Sequence, residues 1–143
     1  MDTQSFAQSY ARFYEKLTRE SKKEEYAVFF DKDSEFQDPF QKVQGLDAIY
    51  HIFVDMYEKL HNPRFVVEEV VCSEDVAYLR WEFLYALSPT AKEDSFVGVS
   101  RVSFSKDAKV LSHVDYWDAA QNVYEKIPLL GSLMRLVKRK LHA

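Results

Sequence analysis

The apolar positions of this chain change period partway along. Over residues 5–20, Phe6, Tyr10, Phe13, Tyr14 and Leu17 recur at three- and four-residue spacings, which predicts an amphipathic helix. Residues 22–31 predict a shorter second helix with Tyr26, Phe29 and Phe30 turned inward. A third, over 46–60, carries Ile49, Phe53, Met56, Tyr57 and Leu60 on one stripe. Gly45 precedes that helix and Asn62-Pro63 stops it. Between the second and third helices, residues 34–40 read as a short strand, because Pro39 forces Asp38 into extended backbone.

Beyond Pro63 the period becomes two. Residues 64–72 are β-rich, and Ser73-Glu74-Asp75 is a turn. Residues 76–87 alternate: Ala77, Leu79, Trp81, Phe83 and Tyr85 face one way, Tyr78, Arg80 and Glu82 the other. Residues 95–104 and 109–117 are two further strands. Three helices with a short strand, then a run of long antiparallel strands, predict an α+β domain with helices covering one sheet face.

The last segment is different in kind. Residues 119–126 read as helical and Pro128 interrupts them. Residues 129–141 then place Leu130, Leu133, Met134, Val137 and Leu141 on one face, with Arg135, Lys138, Arg139 and Lys140 elsewhere. Such a basic amphipathic helix either docks on its own domain or a dimer mate, or lies on an anionic membrane surface. We therefore divide the chain into a domain over 1–126 and a C-terminal helix over 127–143.

Composition sharpens this picture. A chain of 143 residues buries enough surface for one core without staples. Its aromatic share, 15%, points to an aromatic core, or to an aromatic-lined cavity or partner face. Cys72 is the lone cysteine, which excludes an internal disulfide; in a Val-rich run it reads as a buried apolar residue. No leader pattern and no membrane-length apolar run is visible, so a cytoplasmic protein is expected. The net charge is −4, and the five bases without acids from Lys126 onward leave the preceding 125 residues at −9. So acidic a body argues against nucleic-acid binding.

No phosphate loop, nucleotide fingerprint or zinc spacing occurs, and of the four scattered histidines only His51 and His113 are placed to face inward. Neither a metal nor a cofactor is expected, which leaves carboxylate and phenol chemistry. Asp38 stands between Phe36 and Phe40, before a proline. In an apolar site its carboxyl would be poised for proton transfer. Alternatively, it caps a turn, as Asp before Pro does elsewhere.

The order helix–helix–Phe-Phe–strand–Asp-Pro–Gly–helix resembles the nuclear-transport-factor-2-like superfamily, which includes ketosteroid isomerase and the SnoaL-like polyketide cyclases. The similarity runs to about Ala119. It is strongest over residues 29–39, from Phe29-Phe30 to Asp38-Pro39, and in Gly45-Leu46-Asp47-Ala48-Ile49. The resemblance implies a cystatin-like cone, its three helices on the concave face of a curved antiparallel sheet.

It also implies roles for particular residues. Asp38 falls where ketosteroid isomerase keeps its base, and Tyr14 where it keeps an oxyanion-hole phenol. Ser100 stands where that enzyme keeps a second, protonated acid, and is a weaker donor. Asp115, on the last strand with Leu111, His113 and Trp117, resembles the acid/base of the SnoaL-like cyclases. The plainer reading pairs His113 with Asp115, or either with the following helix. Trp81, Phe53 and Phe96 would wall the pocket.

Asp115 also resembles an acid of limonene epoxide hydrolase. That enzyme needs an inward Arg-x-Asp pair on the third strand. Arg80 and Glu82 face away from the apolar set Leu79, Trp81 and Phe83, so register rejects the idea. The convex face, with Val66, Val70, Tyr78 and Val99 beside Arg80, Glu82 and Arg101, suits a homodimer.

Two functions follow as expectations. One is a cofactor-free isomerase, cyclase or hydratase that shuttles a proton on a small apolar ligand, polyketide-, steroid- or lipid-like. The other is a non-catalytic ligand-binding or dimeric module, with possible membrane contact through 129–141.

Overall fold

Asp2 opens the first helix, its side chain accepting the Gln4 N–H at 3.1 Å and the Ser5 hydroxyl at 2.8 Å. The computed structural model describes residues 2–127 and 130–142, without the Glu125 side chain. Its elements are α1 (Thr3–Lys16), α2 (Lys23–Ala27), β1 (Phe30–Gln37), β2 (Lys42–Gln44), α3 (Leu46–Lys59), β3 (His61–Ser73), β4 (Val76–Ala86), β5 (Asp94–Phe104) and β6 (Val110–Tyr116). A one-turn helix, α4 (Ala119–Asn122), a 3-10 turn (Tyr124–Lys126) and α5 (Leu130–Leu141) follow.

Two differences from the sequence reading stand out. The second helix stops at Ala27, so that Phe30 already begins β1. The stretch 119–126 is a helical turn and a 3-10 turn rather than one helix. The predicted break at Pro128 and the helix start at Leu129 lie outside the described residues.

The strands form one curved, unclosed sheet of six in the order β2-β1-β6-β5-β4-β3. Its pairings are antiparallel except for β1 with β6, which run parallel. The β1–β6 register breaks between Phe30 and Glu35. Buried Ser34 repairs the gap: its hydroxyl accepts the Asp31 N–H at 2.9 Å and donates to the Val110 carbonyl at 2.6 Å. Gly45 N–H donates to the Ser34 carbonyl at 2.7 Å, tying the start of α3 to β1. Gly45 has φ +100° and a Cβ there would lie 3.0 Å from the Lys32 carbonyl, so only glycine suits this corner.

Helices α1 and α3 pack on one face of the sheet. The inward set predicted for β4 is buried: Ala77, Leu79, Trp81 and Phe83. Tyr10, Tyr26, Phe30 and Phe104 are the largest wholly buried side chains, which accounts for much of the aromatic surplus. Burial of a ring gains about 1.5–3 kcal/mol from area alone. Further stabilisation comes from edge-to-face pairs such as Tyr10–Tyr14 and Phe13–Tyr26.

The opposite face of β4 carries Arg80, which forms an ion pair with Glu68, and Glu82, which accepts the Ser95 hydroxyl at 3.0 Å. Val66, Val71, Tyr78, Val97 and Tyr116 are exposed. Val70 is not among them. The β3–β4 register slips between Val67 and Glu69, a bulge that turns Val70 and Cys72 to the same side as Leu79 and Ala77. Cys72 is only half-buried, because β3 is a sheet edge. A second slip, between Ser103 and Phe104 on β5, leaves Leu111 exposed, and Val110 takes the inward place predicted for it. His51 also points outward, since two residues from Ile49 is the far side of α3. No helix among the described residues is long and apolar enough to cross a membrane.

Candidate functional site

Between α3 and the sheet lies a pocket of about 140 Å³, open to solvent. Its walls are aromatic: Phe36 from β1, Phe53 from α3, Phe65 from β3, Trp81 and Phe83 from β4, Phe96 from β5 and Trp117 just past β6. Phe40 and Trp117 meet edge-to-face, with centroids 5.4 Å apart; Trp117 also stacks on Phe96 at 4.4 Å. Gly98 makes room for the opposite wall. An ideal Cβ on Gly98 would lie 2.6 Å from Trp81 Cζ2, so the indole lies against β5 only because residue 98 has no side chain.

Two carboxylates line the pocket, Asp38 and Asp115, and they are held differently. Asp38 is half-buried. Its Oδ1 accepts the N–H groups of Phe40 and Gln41 at 2.8 and 3.0 Å, and its Oδ2 accepts Gln41 Nε2 at 3.1 Å. The Asp38 carboxylate builds the turn from β1 to β2, which is the second of the two readings its sequence allowed.

Asp115 lies deeper, with its side chain 14% exposed. Its Oδ1 accepts the Ser100 hydroxyl at 2.5 Å and stands 2.6 Å from His113 Nε2. Ser100 in turn accepts Trp81 Nε1–H at 2.8 Å. On the other side, His113 Nδ1 lies 2.8 Å from the Tyr10 hydroxyl, which is hydrogen-bonded to the Tyr14 hydroxyl at 3.3 Å. Six side chains thus form one hydrogen-bonded row from Trp81 to Tyr14. The His113 ring is clamped within it, stacked on Phe36 at 4.9 Å and on Tyr14 at 5.4 Å between centroids.

The imidazole bridges the row, with Nδ1 toward the Tyr10 hydroxyl and Nε2 toward Asp115 Oδ1, so the two ring nitrogens hold a phenol and a carboxylate in fixed positions. Both phenols stay neutral: burial pushes the Tyr10 and Tyr14 hydroxyls well above the usual tyrosine range.

No hydrogen bond among the described residues reaches Asp115 Oδ2. Asp115 lines this pocket and also a void of about 10 Å³ bounded by Tyr14, Phe65, Leu79, Ser100 and His113. The predicted site residues therefore divide in two. Asp38, Asp115, Trp81, Phe53, Phe96 and Trp117 line the pocket, whereas Tyr14, Ser100 and His113 stand behind Asp115 around the small void. Sequence reasoning missed Tyr10. The signal was present, since residues four apart on a helix are neighbours and Tyr10 precedes Tyr14 by one turn. Among the described residues no group of three or more His, Cys, Asp or Glu side chains is arranged to hold a metal ion.

An α+β cone of helices packed on a curved, unclosed sheet is the architecture of the nuclear-transport-factor-2-like proteins. Within that class the chain belongs to the SnoaL-like domain family, whose profile matches residues 10–113. No curated protein matches the chain. Solved structures share the fold at low identity. A candidate isomerase of the SnoaL-like family from Agrobacterium tumefaciens is 17% identical (TM-score 0.66; 81% of this chain and 97% of that one covered). A candidate SnoaL-like polyketide cyclase from Jannaschia is 12% identical (TM-score 0.71; 82% and 88%). A protein of ketosteroid isomerase-like fold from Catenulispora acidiphila, solved in complex with trimethylamine, is 10% identical (TM-score 0.68; 83% and 89%).

Proposed function

We propose that this protein is a cofactor-free enzyme of the isomerase, cyclase or hydratase type, in which Asp115 transfers a proton on a small apolar ligand. One observation carries the reading. Asp115 Oδ1 is fixed by Ser100 and His113, while Oδ2 has no hydrogen bond among the described residues and the residue lines an aromatic pocket. A carboxylate oriented through one oxygen is poised to act through the other. It would take a proton from a carbon next to a carbonyl and return it at a second carbon. The row behind it holds the imidazole in place throughout.

The volume limits the ligand. A cavity of about 150 Å³ takes one benzene ring, so the pocket encloses one ring and a larger ligand extends through its mouth. Of the two side-chain N–H donors on the lining, Trp81 is committed to Ser100, and Trp117 Nε1–H has no hydrogen bond among the described residues. Trp117, rather than the enclosed Tyr14, is then the donor available to a developing oxyanion.

That scarcity of donors also supports a second reading, a non-catalytic module binding the same kind of ligand. Cyclohexanone, a one-ring enolisable ketone, separates the two. The enzyme reading expects deuterium exchange at its α-carbons in D₂O to exceed that of Asp115→Asn. Quenching of Trp81 and Trp117 fluorescence without exchange above that variant would leave the binding module. The exposed convex face, centred on Tyr78, would join two copies in either case; sedimentation of wild type and Tyr78→Asp tests this.

A further inference from the structure

We propose that α5 is a peripheral membrane anchor, lying in the surface of an anionic bilayer. Three observations meet there. The first is an exposed apolar stripe. At 100° per residue, Leu130, Leu133, Met134, Val137 and Leu141 fall within an arc of about 100°. Leu133 is 55% exposed and Leu141 80% exposed, and Gly131 is the buried residue of the helix. Helix α5 packs chiefly on the 3-10 turn Tyr124–Lys126 rather than on the sheet. A helix docked on its own domain would have buried this stripe.

The second observation is where the bases stand. On the same projection Lys138 and Lys140 border the stripe on its two sides, and Arg135 and Arg139 lie opposite. On a helix half-sunk in a lipid interface, lysines at the borders of the stripe lay their methylenes on apolar surface and carry the ammonium toward the headgroups. Placing bases near the helix C-terminus would complement its dipole, but it does not call for an apolar stripe between them.

The third is charge segregation. The last 18 residues hold five bases and no acid, while the preceding 125 carry −9. Lys126 reaches back to Asp94 at 2.5 Å. An acidic body is repelled by an anionic surface, so the helix has to supply the attraction. The result is weak, reversible attachment that fades as salt screens the lysines. This anchor stands whether or not the pocket is catalytic.

The test uses the full chain and sedimentation with vesicles, one set of phosphatidylcholine alone and one with about a third phosphatidylglycerol, a composition chosen for surface charge. Wild type is expected to co-sediment with the anionic vesicles, weakly or not at all with the neutral ones, and less as salt rises. Each base near the surface contributes about fivefold in affinity, so Lys138→Gln with Lys140→Gln should weaken binding at least tenfold. Leu133→Asp with Val137→Asp should abolish it, with the melting transition of the domain unchanged. Equal partition of all variants, or no binding to anionic vesicles, would overturn the proposal. So would a wild-type dimer that Leu133→Asp with Val137→Asp splits while vesicles bind neither, because the stripe would then be a contact between copies.

Discussion

His113 Nε2 and Asp115 Oδ1 stand 2.6 Å apart on the same strand. They meet because residues two apart on a strand share a face. Their partners come from elsewhere: Ser100 on β5, and Tyr10 on α1 through the other imidazole nitrogen. His113→Ala would leave Asp115 without its buried partner and empty the slot between Phe36 and Tyr14. The expected loss is about 3–5 kcal/mol in urea unfolding. Ser100→Ala strips one bond from Asp115 and leaves Trp81 Nε1–H unpaired, for about 1–3 kcal/mol. A loss under about 0.5 kcal/mol for both would mean that the row contributes no structure.

The two pocket carboxylates should separate cleanly. Asp38→Asn retains a carbonyl oxygen to accept the Phe40 and Gln41 N–H groups, so stability should hold within about 0.5 kcal/mol and cyclohexanone exchange should continue. Asp38→Ala loses the turn contacts and costs about 1 kcal/mol. Asp115→Asn should abolish exchange. If Asp38→Asn abolishes exchange and Asp115→Asn does not, the base has been assigned to the wrong carboxylate.

Gly98→Ala is predicted to act on the pocket through Trp81. The new methyl has to displace the indole or shift β5, at an overpacking cost of about 1–3 kcal/mol. The indole wavelength should change and small-ligand binding should fall. Unaltered Trp emission with unaltered stability would contradict the close contact between β5 and the ring.

Alkaline unfolding reports on the buried phenols. Burial raises Tyr10, Tyr14 and Tyr26, and lifts Tyr57 to about 12, against an ordinary value near 10. A raised folded-state value means the unfolded chain loses its proton first. The contribution of each group is therefore intact below about pH 10, and is lost as pH climbs through its folded value. Stability should be flat to about pH 10 and then fall steeply, by about 1.4 kcal/mol per unit for each such tyrosine. Absorbance at the phenolate band should show at least these four of the nine tyrosines ionising only with unfolding. Tyr57 has a buried hydroxyl without a hydrogen-bond partner among the described residues. Tyr57→Phe should thus be neutral or slightly stabilising, and would remove one group from the alkaline step.

The helices and the long strands were legible because their apolar periods are long and unbroken, as along Leu79, Trp81 and Phe83. Irregularity was not. A bulge leaves no mark in a run such as Val66-Val67-Glu68-Glu69-Val70-Val71, since every register of it offers some apolar face. For the site, the alternation His113-x-Asp115 was enough to place an acid and an imidazole side by side. The role of Asp38 was ambiguous for a physical reason. A carboxylate flanked by Phe36 and Phe40 looks buried in one dimension, yet the following proline makes a turn, and a turn presents its own N–H groups to the nearest carboxylate. The Tyr10–His113 contact spans 103 positions and only the fold brings it about.

The extra residue at Glu68–Glu69 has a consequence for how this protein can change. Upstream of it, Phe65 lines the pocket and Val67 the small void; downstream, Val70 and Cys72 pack against the core. The two halves of β3 are therefore in opposite phase and are reconciled by a single inserted unit. Deleting Glu68 would close the bulge and leave a regular strand, with Phe65, Val67, Val70 and Cys72 still on one side and opposite the same residues of β4. A single deletion should therefore be tolerated at the bulge and punished elsewhere along this edge strand, where it reverses the faces of the residues beyond it, a rule that comparison of natural variants can check.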